Sequence, residues 1–477
     1  VRLPLITPSV KARSVYLTAH ERVNLYPEES GVDENGRPSY SLIGTPGLSL
    51  FTTLPNSPVR GLIQSANGTF VAVGGNTVYT VSTAGTATSI GTIGTTDGVV
   101  RMADNGTQIM IVDGNRAYYS DLSTVTEITD LTTIITNNSY DGPEWCTAQD
   151  GYMIIAFPNS DDFYISGSDD ASSWSSLDFS SADARPGYIK AIISHLDELW
   201  ILKDKSFEVW YNSGASFPFE RHQGAEGEVG CAALGSVERI GNSLLWLGGN
   251  EQGEGQVFMT QGYSVIPVSG YDMPYIFNSF STLTDAPAWT YQQEGHVFQC
   301  FDFQASNQSW AYDITTKLWH RRAYLNASTN ASERQRGHVQ AHFNGKDYVG
   351  DYFTGQIFQL DLDTYTDNGQ EIQRKWVGPH VRNRLKRLFI RSFQLGMESG
   401  IGINTGQGSD PQAMLEFSKD RGHTWSDNEY WADIGKQGAY NARVKWWQLG
   451  SALDTWTPRV TISDPIKVVI QDAEVNG

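Results

Sequence analysis

At 477 residues the chain is too long for one ordinary hydrophobic core and points to two or three domains. With 47 glycines, 22 tyrosines, 20 phenylalanines and 14 tryptophans but only 18% charged residues, it favours many short strands and tight turns, an all-β chain. The 53 acidic against 34 basic side chains, net −19, argue against wrapping nucleic acid by phosphate neutralisation, though not against a protein that DNA passes by.

The first 57 residues do not repeat. "VNLYPEESG" (Val23–Gly31) and "LIGTPGLSLF" (Leu42–Phe51) are extended pieces punctuated by Pro and Gly, and they read as an arm, 1–57, that crosses other elements. Val1 opens the chain without an initiator Met, so that residue was removed or the numbering starts late. There is no signal-peptide apolar region, and no stretch reaches the roughly 18 apolar residues of a membrane span, so no membrane insertion is expected.

From residue 58 a period sets in. "TFVAVGGNTVYTV" (Thr69–Val81) is an apolar run, a Gly-Gly-Asn turn and a second alternating run, which is a β-hairpin. The form recurs from Gln108, Gly151, Glu198, Ser243, His296 and Asp347. Copies lie roughly 40 to 52 residues apart, the spacing of four-stranded propeller blades. "AYDITTKLWHRR" (Ala311–Arg322) reads as an outer blade hairpin. The expectation is a β-propeller over 58–365, with seven blades preferred to six. From 366 to 477, longer alternating strands such as "KRLFIRSFQLGME" and "ARVKWWQLG" predict a β-sandwich. Helical periodicity of any length is not expected anywhere.

Few residues suggest chemistry. Cys146, Cys231 and Cys300 form no Cys-x-x-Cys pair and read as buried free thiols of a protein folded in a reducing cytoplasm. The acidic pairs Asp161-Asp162 and Asp169-Asp170 and the segment Asp361–Glu371 miss the EF-hand pattern and read as turn carboxylates. The nine histidines show no metal spacing, and neither a phosphate-binding Gly loop nor a nucleophile elbow occurs. No catalytic residue, cofactor or metal site is therefore expected.

"SKDRGHTW" places Ser418, Asp420, Gly422, Thr424 and Trp425 in an Asp-box pattern, which resembles a turn of sialidases and other glycan-handling propellers. Its Asp can accept turn N–H groups and its Gly can supply an unusual φ, so the bland reading is a structural turn. The sharper one, a glycan-binding or sialidase-like propeller, needs an arginine cluster with a Tyr, a Glu and an Asp acid. The complete box is single and lies outside the blades, with "SGSDDASSW" (Ser166–Trp174) only a looser relative. The structural turn is the reading adopted.

"RKWVGPHVRNRLKRLFIR" (Arg374–Arg391) is the one dense cationic run. Arg382, Arg384, Lys386, Arg387 and Arg391 could meet a subunit or partner, form a solvated strand face or touch DNA.

Taken in order, "NLYPE" and "GTPGL" of the arm, "FPFERHQGAEGEVGCAALGSVERIGNSLLWLGG" (Phe217–Gly249), "GYSVIPVSG" (Gly262–Gly270), "FSKDRGHTWSDNEYW" (Phe417–Trp431) and the segment Arg443–Ile470 carry a resemblance. The chain resembles the tail-hub or nozzle proteins of short-tailed phages, also called packaged-DNA stabilisation proteins. That resemblance implies a non-enzymatic virion protein assembled in the host cytoplasm. It further implies a homo-hexameric ring below the head-to-tail adaptor ring, which continues the DNA channel and helps retain the genome. A tail needle, tailspike or tail fibre would mount on it, and double-stranded DNA would pass without sequence-specific binding. The resemblance directs attention for inter-protein contacts to the arm and the sandwich, with Arg382, Arg384, Lys386, Arg387 and Arg391 as the candidate residues.

Overall fold

The computed structural model describes the chain except residues 8–12, 15, 33–35, 37, 251–252 and 384–385 and the side chain of Glu254. All seven hairpins form, each as the middle pair of one sheet, for example Phe70–Gly74 with Thr77–Val81 and Lys346–Asp351 with Gln356–Asp361. Seven antiparallel sheets follow one another along the chain, and the inner strand of the last, Gly337–Phe343, lies against that of the first, Val59–Gln64. The ring therefore closes on seven blades. In blade five the inner strand is broken into Gly230–Cys231 and Glu238–Ile240, both paired to Ser243–Asn250.

Closure uses the arm. Gly47–Thr53, which the sequence places before the propeller, pairs antiparallel with Gln356–Asp361 as the outer strand of blade seven. The short strand Thr366–Asp367, on the sandwich side of the expected boundary, joins that same sheet through Leu48. Leu48 is buried with Trp289, Phe298, Val349 and Phe358, so one arm residue fills the seam between blades six and seven. Replacing water around such a leucine contributes roughly 2 kcal/mol.

The sandwich has two sheets. One runs from Leu25–Val32 through Pro38–Gly44, Val469–Asn476 and Leu388–Met397 to Val444–Ala452, with Arg2–Leu3 beside Val469–Asn476. The other runs from Arg374–Val377 through Thr455–Ile462 and Gln412–Ser418 to Tyr430–Asp433. Between them Phe393 stacks on Trp446 and meets Trp456 edge-on, while Leu3, Leu5, Leu25 and Leu42 of the arm enter the same core. Glu21–Val23 joins the two domains. It pairs parallel to the outer strand of blade six, Leu318–Arg322, and antiparallel to Arg374–Val377, making one sheet continuous across the junction.

One expectation is corrected. Thr129–Asn138 is a ten-residue α-helix, and Asp272–Phe277 is a shorter one. In the longer helix Leu131, Ile134 and Ile135 are buried, the i, i+3, i+4 spacing of a helix face. Its Thr and Ile residues have low helix propensity, and tertiary packing overrides that preference. Among the described residues no helix is long and apolar enough to cross a membrane.

Candidate functional site

A glycosidase reading would have to be realised on the propeller axis. A cavity of about 180 Å³ lies there, lined by residues of the inner strands including Arg101, Glu238, Trp289 and His338. Arg101 stands 3.6 Å from Glu238, lies over the Trp145 ring at 4.5 Å and donates to the Gly235 carbonyl at 2.9 Å. Burial raises the Glu238 carboxyl to about 7, against the opposing pull of Arg101 and Arg239. Arg239 donates instead to the Ser194 carbonyl. Arg60, on the inner strand of blade one, is fully buried and donates to the carbonyls of Gly75, Thr95, Asp97 and Gly98, locking the loop into blade two. Each of these guanidiniums is engaged within the chain, so they form no triad for a substrate carboxylate at this cavity.

The Asp-box is a turn in use. It joins Gln412–Ser418 to Tyr430–Asp433 in the sandwich. Asp420 Oδ1 accepts the Thr424 amide at 2.8 Å and the Ser418 hydroxyl at 2.7 Å, and Oδ2 accepts the Thr424 hydroxyl at 2.6 Å. Burial acts to raise this carboxyl, but those hydrogen bonds outweigh it and lower the Asp420 pKa to about 2. Gly422 has φ +93°, and a Cβ there would meet Ala19 of the arm at 2.9 Å, so glycine is required twice over. Trp425 lies under the Arg459 guanidinium at 4.0 Å, and Arg459 forms a bidentate pair with Glu416. Arg421 lies over the Tyr16 ring at 4.2 Å and pairs with Asp454, which clasps the arm. In the looser relative, Asp170 likewise accepts the Ser172 amide and hydroxyl, and the Trp174 indole donates to Ala171.

The cationic run does not stay together. Arg374 is 1% exposed at the propeller–sandwich junction, where burial lowers its pKa to about 10 despite Asp367 and Tyr365 nearby. Its side chain fills the space over Gly44, where a Cβ would lie 2.7 Å from Arg374 Nε. Arg382 pairs through its backbone with Thr455 and donates a guanidinium N–H to the Tyr16 carbonyl, so it holds the arm. Arg384 lies outside the described residues. Lys386, Arg387 and Arg391 are exposed, and their side chains make no ion pair or hydrogen bond within the described chain.

Sequence reasoning missed the junction, whose residues look unremarkable in isolation. Arg22 is fully buried, donates to the Trp319 carbonyl at 2.7 Å and lies 3.0 Å from His20 Nε2. Asn24 donates to the carbonyls of Ala323 and Gln373 at 2.8 and 2.9 Å and accepts the Ala323 amide at 2.9 Å. Burial, and then Arg22, push His20 well below its ordinary pKa, and burial with Arg322 and Arg22 does the same to His320. The one available signal is the polar run His20-Glu21-Arg22-Val23-Asn24, in which valine is the single apolar residue. The three cysteines are buried free thiols, each raised to about 12 by burial. No group of three metal-ligating side chains occurs among the described residues.

Comparison with known proteins matches this architecture part by part. The family described as Bacteriophage P22 Gp10, beta-propeller, matches residues 1–365, and that described as Bacteriophage P22 Gp10, beta-sandwich, matches 373–477. No curated protein sequence matches the chain. Similar solved structures include the N-terminal domain of Nup159, at 13% identity over 72% of this chain and 98% of that one, with a TM-score of 0.43. Virginiamycin B lyase from Staphylococcus aureus is similar at 11% identity, 65% and 97% coverage and TM-score 0.42. The WD40 domain of Neurospora crassa Pan2 is similar at 8% identity, 66% and 96% coverage and TM-score 0.43. Likenesses this distant bear on no functional point. Matched in order through both of its folded units, the chain belongs to the bacteriophage P22 Gp10 family, structural proteins of the phage virion named for stabilising packaged DNA and not a family of enzymes.

Proposed function

We propose that this chain is the tail hub of a short-tailed phage: a homo-hexameric ring seated below the head-to-tail adaptor ring. It continues the DNA channel, retains the packaged genome and mounts a tail needle, tailspike or tail fibre. Assembly takes place in the host cytoplasm. The observation that carries this reading is the family match through the propeller and the sandwich together. Two further features support it. The arm ties propeller and sandwich into one continuous sheet, as a part that holds pressurised DNA would need. A net charge of −19 suits a conduit, because acidic walls repel the phosphate backbone and limit adhesion during ejection.

Double-stranded DNA passes such a ring without base readout, and the exposed cations Lys386, Arg387 and Arg391 serve protein contacts. Electron microscopy of the purified protein, alone and with the adaptor ring, tests the proposal. The expected result is a six-fold ring around an opening wide enough for duplex DNA. A chain that stays monomeric in both preparations, or that cleaves sialosides, overturns it.

A further inference from the structure

The sandwich sheet that begins at Leu25–Val32 and ends at Val444–Ala452 has two open edges of opposite chemistry. At the first, Glu28 through Val32 are exposed, and Val32 is 70% exposed. These residues pair only with Pro38–Gly44, and that strand reaches Val469–Asn476 only through Leu42 and Ile43. The outer half of the hairpin is therefore a two-stranded ribbon without a third strand, which is marginal in water on its own. Glu28 and Glu29 make no ion pair among the described residues.

At the second edge Trp447 is 59% exposed with Lys445 Nζ 4.0 Å over its ring, and Phe389 on the neighbouring strand is 66% exposed. Arg391 is exposed on that neighbouring strand too, and Lys386 and Arg387 precede it. Four cations and two exposed aromatic rings thus lie on this edge strand, its neighbour and the residues that lead into it, on a chain whose net charge is −19. A native edge is ordinarily blunted by charge or covered by another element. Here each edge carries what would cover the other.

We propose that the Glu28–Val32 ribbon of one copy docks along the Val444–Ala452 edge of the next. The ribbon extends that sheet, sets Glu28 and Glu29 against Lys386, Arg387 and Arg391, and lays Val32 on Phe389 and Trp447. Because two different surfaces meet, the contact is heterologous, repeats around a circle and builds a ring when the rotation closes. The inference rests on the ring reading above and supplies its contact. Duplex DNA on the same cations is the competing occupant, and it would leave the ribbon unexplained.

Charge reversal on the full chain tests it, with mass photometry for assembly and thermal melting for folding. Glu28→Lys/Glu29→Lys and Arg387→Glu/Arg391→Glu are each expected to lower the ring population about tenfold at unchanged melting temperature, and mixing the two reversed chains is expected to restore rings. Ser30→Cys in one chain and Ser451→Cys in another are expected to form a disulfide between copies, and the buried native thiols leave that readout clean. Rings that survive both reversals overturn the inference and leave the ring reading standing. Wild-type protein that never assembles, alone or on the adaptor, overturns both. Intact rings whose Arg387→Glu/Arg391→Glu form binds less duplex DNA assign the patch to phosphate and also overturn it.

Discussion

The N-terminal arm closes two seams, and their chemistry differs. At blade seven, Gly47–Thr53 makes an antiparallel ladder with Gln356–Asp361, and Leu48 enters an apolar cluster. At the junction, Glu21–Val23 shares one residue pair with blade six, and the seam is instead filled by His20, Arg22 and Asn24, all buried. The first seam draws on apolar burial and a backbone ladder that already absorbs a bulge at Ile357 and Phe358, and both tolerate small changes of geometry. The second depends on hydrogen bonds to particular carbonyls, and each unmade bond there leaves a desolvated group. One seam closes a domain, and the other fixes the angle between two domains.

The largest difference between the seams is expected from Leu48→Asp. It places an unpaired carboxylate among Trp289, Phe298, Val349 and Phe358 and is expected to cost about 4 kcal/mol or more. The propeller should then unfold at lower temperature while the sandwich, whose core contains no part of this seam, melts later. Calorimetry reads this as a low-temperature transition split from the main one. A single unshifted transition would show that blade seven closes without the arm.

The propeller was legible because its signal is local. Each blade carries an alternating hairpin around a Gly or Asn turn, so the spacing favours seven blades over six, and the pairing of the strands fixes the count at seven. The Asp-box was legible for the same reason, since Ser418, Asp420 and Thr424 hold one another within a single turn. What was not legible depends on partners hundreds of residues away. Gly47–Thr53 reads as a strand, but nothing in it names Gln356–Asp361 as its neighbour. The run Arg374–Arg391 reads as one cationic face, yet strand register buries Arg374 and leaves Arg391 exposed. The helix Thr129–Asn138 was hidden by β-branched residues that mask its buried stripe.

Acid separates the seams by titration. His338, on the inner strand of blade seven, donates from Nε2 to the Val59 carbonyl of blade one at 2.6 Å. Burial, with Arg334 and Arg101 nearby, lowers it from 6.5 to about 4, against the Val59 bond and Asp351. The unfolded chain therefore binds the proton first. Stability from this group is full above pH 6.5 and is lost as pH falls toward about 4, by roughly 3 kcal/mol. His338→Gln should flatten the dependence of propeller melting on pH across that window. His20 and His320, lowered in the same direction, should keep the junction acid-sensitive in the variant. An unchanged slope for the propeller transition would remove His338 from the closure.

Asn24 isolates the junction. Its side chain bonds Ala323 at the end of blade six and Gln373 at the entry to the sandwich, and its backbone sits at φ +53°. Asn24→Ala leaves two carbonyls and one amide without partners and forces alanine into the left-handed region, together about 3 kcal/mol. Asn24→Gly relieves the backbone strain but not the lost bonds and should recover only about 1 kcal/mol of it. Neither variant touches the blade-seven ladder, so the propeller transition should hold its temperature while the sandwich uncouples and melts on its own. If both variants instead lowered the propeller transition as Leu48→Asp does, the two seams would be one cooperative structure, and the arm would act as a single clasp.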